Sequence, residues 1–299
     1  MNDSAQNKPC AVALGSFDGL HIGHQAVISA ARSFQSAGLA VRVLSFFPHP
    51  QAVLSGQAPP ELLTAEKRRQ LLLQLGAEPL TLDFSAIKNL PPAVFLEEIL
   101  VRQLGARALC CGYNYHFGSG GQADAAALAA LCEAPGLRLA VSEAVTYGGA
   151  PVSATRIRAC IAEGDIPRAN AMLGRAFSYD FPVVSGDRRG RLLGAPTINQ
   201  LFPEAFIVPR RGVYASRTFV ENSWYASVTN IGSRPTFAAE DLRSETCILG
   251  FSGDLYGQNI EVALLDYLRP EQKFASVEAL KVQIAADARQ AEAQFTADA

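Results

Sequence analysis

The sequence predicts two domains of unlike class: an α/β domain on a doubly wound parallel sheet, then an antiparallel β-barrel or sandwich. Three observations carry this. A chain of 299 residues is long for one core and comfortable for two. Up to about Met172, apolar runs alternate with amphipathic stretches, the pattern of strands and crossover helices. Beyond Met172 the apolar runs shorten and are punctuated by Gly, Pro, Asn and Asp, the pattern of antiparallel strands joined by turns.

Taken in order, residues 11–14 predict a buried strand, and 23–37 a helix that Gly38 stops. Residues 41–47 predict the next strand, ended by Pro48. Residues 65–75 predict a helix ended by Gly76, and 80–83 a short strand. Residues 92–104 predict a helix with Pro92 in its first turn, where proline is tolerated. Strands over 106–111 and 137–141 flank a helix over 123–132. In the second half, strands are predicted over 181–184, 212–218, 227–231, 246–251 and 260–268. A closing helix over 276–287 takes Ser276 as its N-cap. The division falls near 174–180, giving domains 1–174 and 175–299.

Hydrophobic residues at 49% and charged residues at 18% describe a globular chain, not a disordered one. A formal charge of −2 argues against a protein held to nucleic-acid backbones. No apolar run is long enough for a bilayer, and residues 1–9 lack the basic-then-apolar order of a secretory signal. The expectation is a cytoplasmic protein that meets neither nucleic acid nor membrane; a homo-oligomer is left open. The cysteines Cys10, Cys110, Cys111, Cys132, Cys160 and Cys247 show no C-x-x-C spacing. They are expected to be free and to act as small hydrophobes.

Gly15-Ser16-Phe17-Asp18-Gly19-Leu20-His21-Ile22-Gly23-His24 follows the first strand and opens a helix. A doubly wound fold binds phosphates there, at a helix N-terminus beyond a strand's carboxyl end. His21 and His24, on either side of the turn into the helix, can both donate to phosphate oxygens. Metal binding by the pair is left open, though no third ligand accompanies them. Ser153, Thr155, Arg156 and Arg158 open another amphipathic stretch, which suits an anion or, equally, an N-cap and a solvated face. No G-x-x-x-x-G-K-[ST] loop occurs.

In the second half, Gly186 to Arg191 is a glycine-rich basic stretch whose N–H groups can cradle phosphate. It is followed by Gly194-Ala195-Pro196-Thr197-Ile198-Asn199, whose threonine hydroxyl and asparagine carbonyl suit Mg²⁺. Composition alone reads such clusters as turns. Glu245 stands at the start of an apolar strand, where by itself it reads as a solvated strand end.

Residues 15–24 are similar to the G-x-F-D-G-x-H-x-G-H signature of bacterial bifunctional riboflavin kinase/FAD synthetases. The resemblance runs from about residue 11 to about 292. Further matches are Phe47-Pro48-His49-Pro50, Leu63 to Lys67, Gly112 to Gly118, Ser153 to Arg158, Gly212 to Ala215, Asn230 to Phe237 and Leu268 to Phe274. Gly194 to Asn199 resembles the kinase G-x-P-T-A-N.

The resemblance implies an N-terminal Rossmann-like nucleotidyltransferase domain (FMN adenylyltransferase) and a C-terminal riboflavin kinase barrel. It implies that riboflavin, FMN, FAD and ATP are the small-molecule partners, with Mg²⁺ as cofactor. His21 and His24 would contact ATP phosphates, with Gly15, Phe17, Asp18 and Gly23 shaping the cradle. Ser153, Thr155, Arg156 and Arg158 would line the phosphate end, and Gly186, Arg191 and Gly194 the second nucleotide site. Pro48, His49, Pro50, Asn114 and Arg269 would meet flavin. Thr197 and Asn199 would hold Mg²⁺, and Glu245 would take the ribityl proton.

Two departures bear on adenylylation. Ala154 replaces a serine, and Ser119 to Gln122 carries no basic residue. A rival is a kinase whose adenylylation has weakened. His21-Ile22-Gly23-His24 also spells the phosphate motif of class I aminoacyl-tRNA synthetases, but no K-M-S-K-S partner occurs.

Overall fold

The computed structural model describes residues 8–185, 197–235 and 240–298. They form two compact units, one of residues up to 59 with 65–153, the other of 60–64 with 154 onward.

The first unit is a five-stranded sheet of β1 (Cys10–Leu14), β2 (Ala40–Phe47), β3 (Glu78–Asp83), β4 (Ala106–Gly112) and β5 (Arg138–Ser142). The order is β3-β2-β1-β4-β5, and every pairing is parallel. All five residues of β1 are buried, as a central strand covered on both faces requires. Cys10, Val12 and Leu14 enter a core with Phe95, Leu96, Leu100 and Leu128. Ala11 and Ala13 point the opposite way. Helix α1 (Ile22–Arg32) packs on β1 and β4. Helices α2 (Ala65–Gln74) and α3 (Ala125–Glu133) follow.

The predicted elements are present, with shifted ends. The helix expected over 23–37 is α-helical only to Arg32, then tightens to a 3₁₀ turn over Ser33–Ala37 before Gly38 at φ 78°. The helix expected over 92–104 starts at Pro92 and winds as a π-helix over Phe95–Gln103. All six cysteines are free, and burial pushes Cys110 up to about 12 and Cys111 to about 11, so neither is a ready nucleophile.

The second unit opens with α4 (Ala154–Glu163) and α5 (Ile166–Leu173). Seven antiparallel strands follow: β6 (Phe177–Tyr179), β7 (Val183–Val184), β8 (Thr197–Leu201), β9 (Gly212–Val220), β10 (Ser223–Pro235), β11 (Glu240–Ile248) and β12 (Glu261–Arg269). Helix α6 (Val277–Asp298) closes the chain. The order β6-β12-β9-β10-β11-β8-β7 puts two strands that are consecutive in the chain at opposite edges. With so short a link between them the edges must come round toward one another. The sheet is a curled half-barrel, and Pro182 bridges to Asn259 across the gap.

Its inner face carries a polar patch beside apolar residues such as Tyr214, Ile231 and Ile248. Ser216, Thr218, Ser227, Thr229, Ser244 and Thr246 are fully buried. Their hydroxyls largely satisfy one another: Thr218 donates to Ser227 at 2.8 Å, and Thr229 meets Ser216 and Thr246 at 2.8 Å each. On the outer face, Ala291 and Phe295 of α6 pack on Ala215, Val228, Leu265 and Leu268. Residues 197–199 form a strand where composition alone suggests turns. Strand β11 begins at Glu240 rather than at 246, which puts Glu245 inside it, and α6 runs past 287 to Asp298.

Candidate active sites

Three motif segments of the first unit leave the carboxyl ends of neighbouring parallel strands. Residues 15–24 follow β1, 48–50 follow β2, and 113–118 follow β4; β2 and β4 flank β1. An open α/β sheet places its ligands at this end, where strand order reverses.

The turn after β1 is tightly wound. Phe17, Gly19 and Leu20 have φ of 47°, 73° and 45°. Burial holds this conformation: Phe17 and Leu20 are 0% and 1% exposed. The Phe17 ring lies 5.2 Å from that of His24, so only its backbone is left for a ligand. Asp18 is also buried.

His21 caps α1, its Nδ1 accepting the N–H of His24 at 3.3 Å. An occupied Nδ1 acceptor leaves the proton on Nε2, which is then a donor. The His24 ring stacks on it, 3.6 Å between centroids and 15° from parallel. Burial holds His24 well below 6.5, helped by the charges of His21 and Arg68, so at neutral pH it is an uncharged imidazole. Its Nδ1 is closed off and has no partner among the described residues. A side chain at Gly23 would bring a Cβ within 3.2 Å of the His21 ring.

His49 caps the short helix Pro50–Ser55 through Nδ1, which accepts from Gln51 N at 3.2 Å. Burial and then Arg68 lower its pKa. Pro48 follows a cis peptide bond, and Phe47 is 73% exposed. Asn114 is exposed in the turn after β4. Arg68 on α2 was not singled out by sequence; its charge acts on both His24 and His49. The signal was the run Glu66-Lys67-Arg68-Arg69, in which Arg69 instead pairs with Glu66 at 2.8 Å.

The remaining anion-suited residues divide. Ser153 ends the first unit, and Thr155, Arg156 and Arg158 lie in α4 of the second. Arg158 Nε donates to Pro60 O at 2.7 Å, and burial lowers its pKa from 12.5.

In the second unit, strand register assembles a row of candidate residues. Asn199 of β8, Glu245 of β11 and Asn230 of β10 stand directly opposite one another across three strands. Thr197 stands two residues from Asn199 on the same face, opposite Cys247. The hydroxyl-lined inner face holds the alternate residues Ser244 and Thr246, so this row lies on the outer face. Asn199 is 7% exposed and Glu245 half-buried. Gly186, Arg191 and Gly194 lie outside the described residues.

Arg269 donates from Nε and Nη2 to Asp287 of α6, the latter at 2.8 Å, and from Nη1 to Pro270 O at 3.2 Å. Asp287 is buried, so the pair latches α6 to β12. The flavin contact expected of Arg269 competes with this latch. Among the described residues, no three His, Cys, Asp or Glu side chains gather to hold a metal, and no helix is long and apolar enough to cross a membrane.

The FAD synthetase family model matches residues 3–156, and the riboflavin kinase family model residues 173–295. The bifunctional riboflavin kinase/FMN adenylyltransferase of Listeria monocytogenes is 33% identical over 293 residues, 95% of this chain and 92% of that one. That of Escherichia coli K12 is 31% identical over 288 residues, again 95% and 92%. A crystal structure of the macrolide-efflux protein of Streptococcus pneumoniae matches with a TM-score of 0.87 at 29% identity, covering 95% of this chain and 94% of that one. Both halves of the chain match in the order in which its two folds occur. The chain therefore belongs to the bifunctional riboflavin kinase/FMN adenylyltransferase family, whose members use ATP to phosphorylate riboflavin to FMN and to adenylylate FMN to FAD.

Proposed function

We propose that His21 and His24 carry the adenylyl transfer and that Glu245, with Thr197 and Asn199, carries the phosphorylation. The observation behind this is that each of these two sets gathers within a single compact unit. In the first reaction an FMN phosphate oxygen attacks the α-phosphorus of ATP, and pyrophosphate leaves. Nε2–H of His21 and the neutral ring of His24 are donors set in advance where charge grows on the α-phosphate. Gly15, Asp18 and Gly23 shape the cradle. Pro48, His49, Pro50 and Asn114 flank the flavin, and Ser153, Thr155, Arg156 and Arg158 are assigned to phosphate.

In the second reaction Glu245 accepts the proton of the terminal ribityl hydroxyl as that oxygen attacks the γ-phosphorus. Thr197 and Asn199 offer a hydroxyl and an amide oxygen on one strand face, a donor set that fits Mg²⁺ completed by water and phosphate. When bound there, the ion screens the phosphate charge.

The test uses three proteins, native, H21A/H24A and E245Q, each given either riboflavin or FMN with ATP and Mg²⁺, with products separated by chromatography. H21A/H24A is expected to stop at FMN, and E245Q to make FAD from FMN but no FMN from riboflavin. Loss of both activities in either variant sinks the division. Titrating Mg²⁺ against the kinase rate of Thr197→Ala tests the metal assignment; an unchanged requirement counts against it.

A further inference from the structure

We propose that Asn230 binds the ribityl chain of riboflavin, accepting a hydrogen bond from the secondary hydroxyl next to the terminal one, and that Glu271 is the positioning residue that aims it. This rests on the reading of Glu245 as the base.

Asn230 stands opposite Glu245 in the β10–β11 register. Side chains so paired share a face and are about 4.5–5.5 Å apart at Cβ. Asn230 Nδ2 donates to Glu271 Oε1 at 2.9 Å. A carboxylate only accepts, so the amide's NH₂ must be the end that faces it, and its orientation is settled by chemistry. Oδ1 is then held on the other side. It is closed off from water and has no donor among the described residues.

Glu271 has room only because residue 232 is glycine. A Cβ there would lie 2.5 Å from Glu271 Oε1. Gly232 is two residues from Asn230, so the carboxylate lies over the strand face that carries Asn230. Val228, two residues the other way on that face, packs with α6. Asn230 thus stands between the part of the outer face that α6 covers and the part that carries Glu245 and Asn199.

A buried acceptor without a donor costs stability. A polyol substrate supplies the missing donor. The terminal hydroxyl has one proton, which goes to Glu245, so it cannot also donate to Asn230. Its neighbour can, because vicinal hydroxyls are spaced on the same scale as paired side chains on adjacent strands. Two hydroxyls held by two side chains of one row fix which oxygen is presented for phosphorylation.

The experiment compares kcat/KM for riboflavin and for riboflavin lacking that secondary hydroxyl, using native protein, Asn230→Ala, the similar-sized Asn230→Leu, and Glu271→Ala. Native protein should prefer riboflavin by about 10- to 100-fold, the loss expected when a buried acceptor goes unpaired. Both Asn230 variants should lose riboflavin activity by about that factor and treat the two substrates alike. Glu271→Ala should raise the riboflavin KM about three- to tenfold with partial loss of discrimination. FAD synthesis from FMN should be unchanged throughout. Discrimination that survives in an Asn230 variant overturns the proposal. So does a raised Mg²⁺ requirement with discrimination intact, which would make Asn230 a metal ligand. Glu245→Gln, run alongside, separates the failures: if it still makes FMN, the reading of the base has failed rather than that of Asn230.

Discussion

The two proposed sites are built in opposite ways. Around His21 and His24, ten consecutive residues turn from β1 into α1, and the geometry is local: one histidine caps the helix and the other stacks on it. The row proposed for the kinase draws on residues 199, 230 and 245, brought side by side only by antiparallel register. A local site is fragile to changes inside its own turn. A register-built site is fragile to any slip of its strands, because a one-residue shift sends every side chain to the other face.

Four experiments would break or sharpen that contrast. The largest effect is expected from Glu245→Gln, about 10²–10⁴-fold in FMN formation, as for loss of a general base. A rate near native would show that the row does not hold the base. The pair His21→Ala and His24→Ala should cost FAD synthesis at least the 10²–10³-fold that is typical of losing one preorganised donor. The two losses need not add. Pyrophosphate release from FMN and ATP measures this, and retained synthesis would leave both rings as structural caps.

Gly23→Ala probes the local site from within its turn. The new Cβ would press on the His21 ring at 3.2 Å, so the ring must give by a few tenths of an ångström. FAD synthesis should fall by roughly tenfold, given the penalty for misplacing a catalytic group. Riboflavin phosphorylation should not change; an equal fall in both would mean global destabilisation.

The smallest effect concerns pH. His24 is held neutral when folded, with its pKa below 6.5, whereas the unfolded chain takes up a proton near 6.5. Below that pH the unfolded state binds more protons, so stability falls as pH drops, by at most about 1.4 kcal/mol per pH unit from this group. His49, also lowered, adds to the slope. Denaturant melts between pH 7 and 5 should show a shallower slope in His24→Gln, and an unchanged slope would refute the assignment.

Much of the fold was legible. The alternation of apolar runs and amphipathic stretches located all five parallel strands to within a few residues, most sharply β1, which is covered on both faces and reads as an unbroken apolar run. The half-barrel was harder. Thr197-Ile198-Asn199-Gln200 carries turn-like neighbours, yet pairing with β11 makes it a strand. Glu245 reads as a strand end because it precedes the apolar run from 246, whereas pairing with β10 and β8 carries β11 back to Glu240. Helices α4 and α5 illustrate the same limit. Asn170 of α5 donates to Leu264 O at 2.9 Å and accepts from Phe177 N at 2.7 Å, ties to later strands that periodicity along the chain does not register.

By itself, then, the sequence determined the class of each half and the contiguous motif that turns from the first strand into a helix. These rest on period, on a contiguous motif and on residue type, which are properties of neighbours along the chain. Tertiary structure alone decided that His24 is neutral, that Arg68 acts on two histidines, that Arg269 is taken up by Asp287, and that Asn230 stands beside Glu245 with Glu271 behind it. The reason is common to all four. A pKa shift depends on burial, and an ion pair or a strand register depends on residues distant in sequence, and neither is defined until the chain has closed on itself.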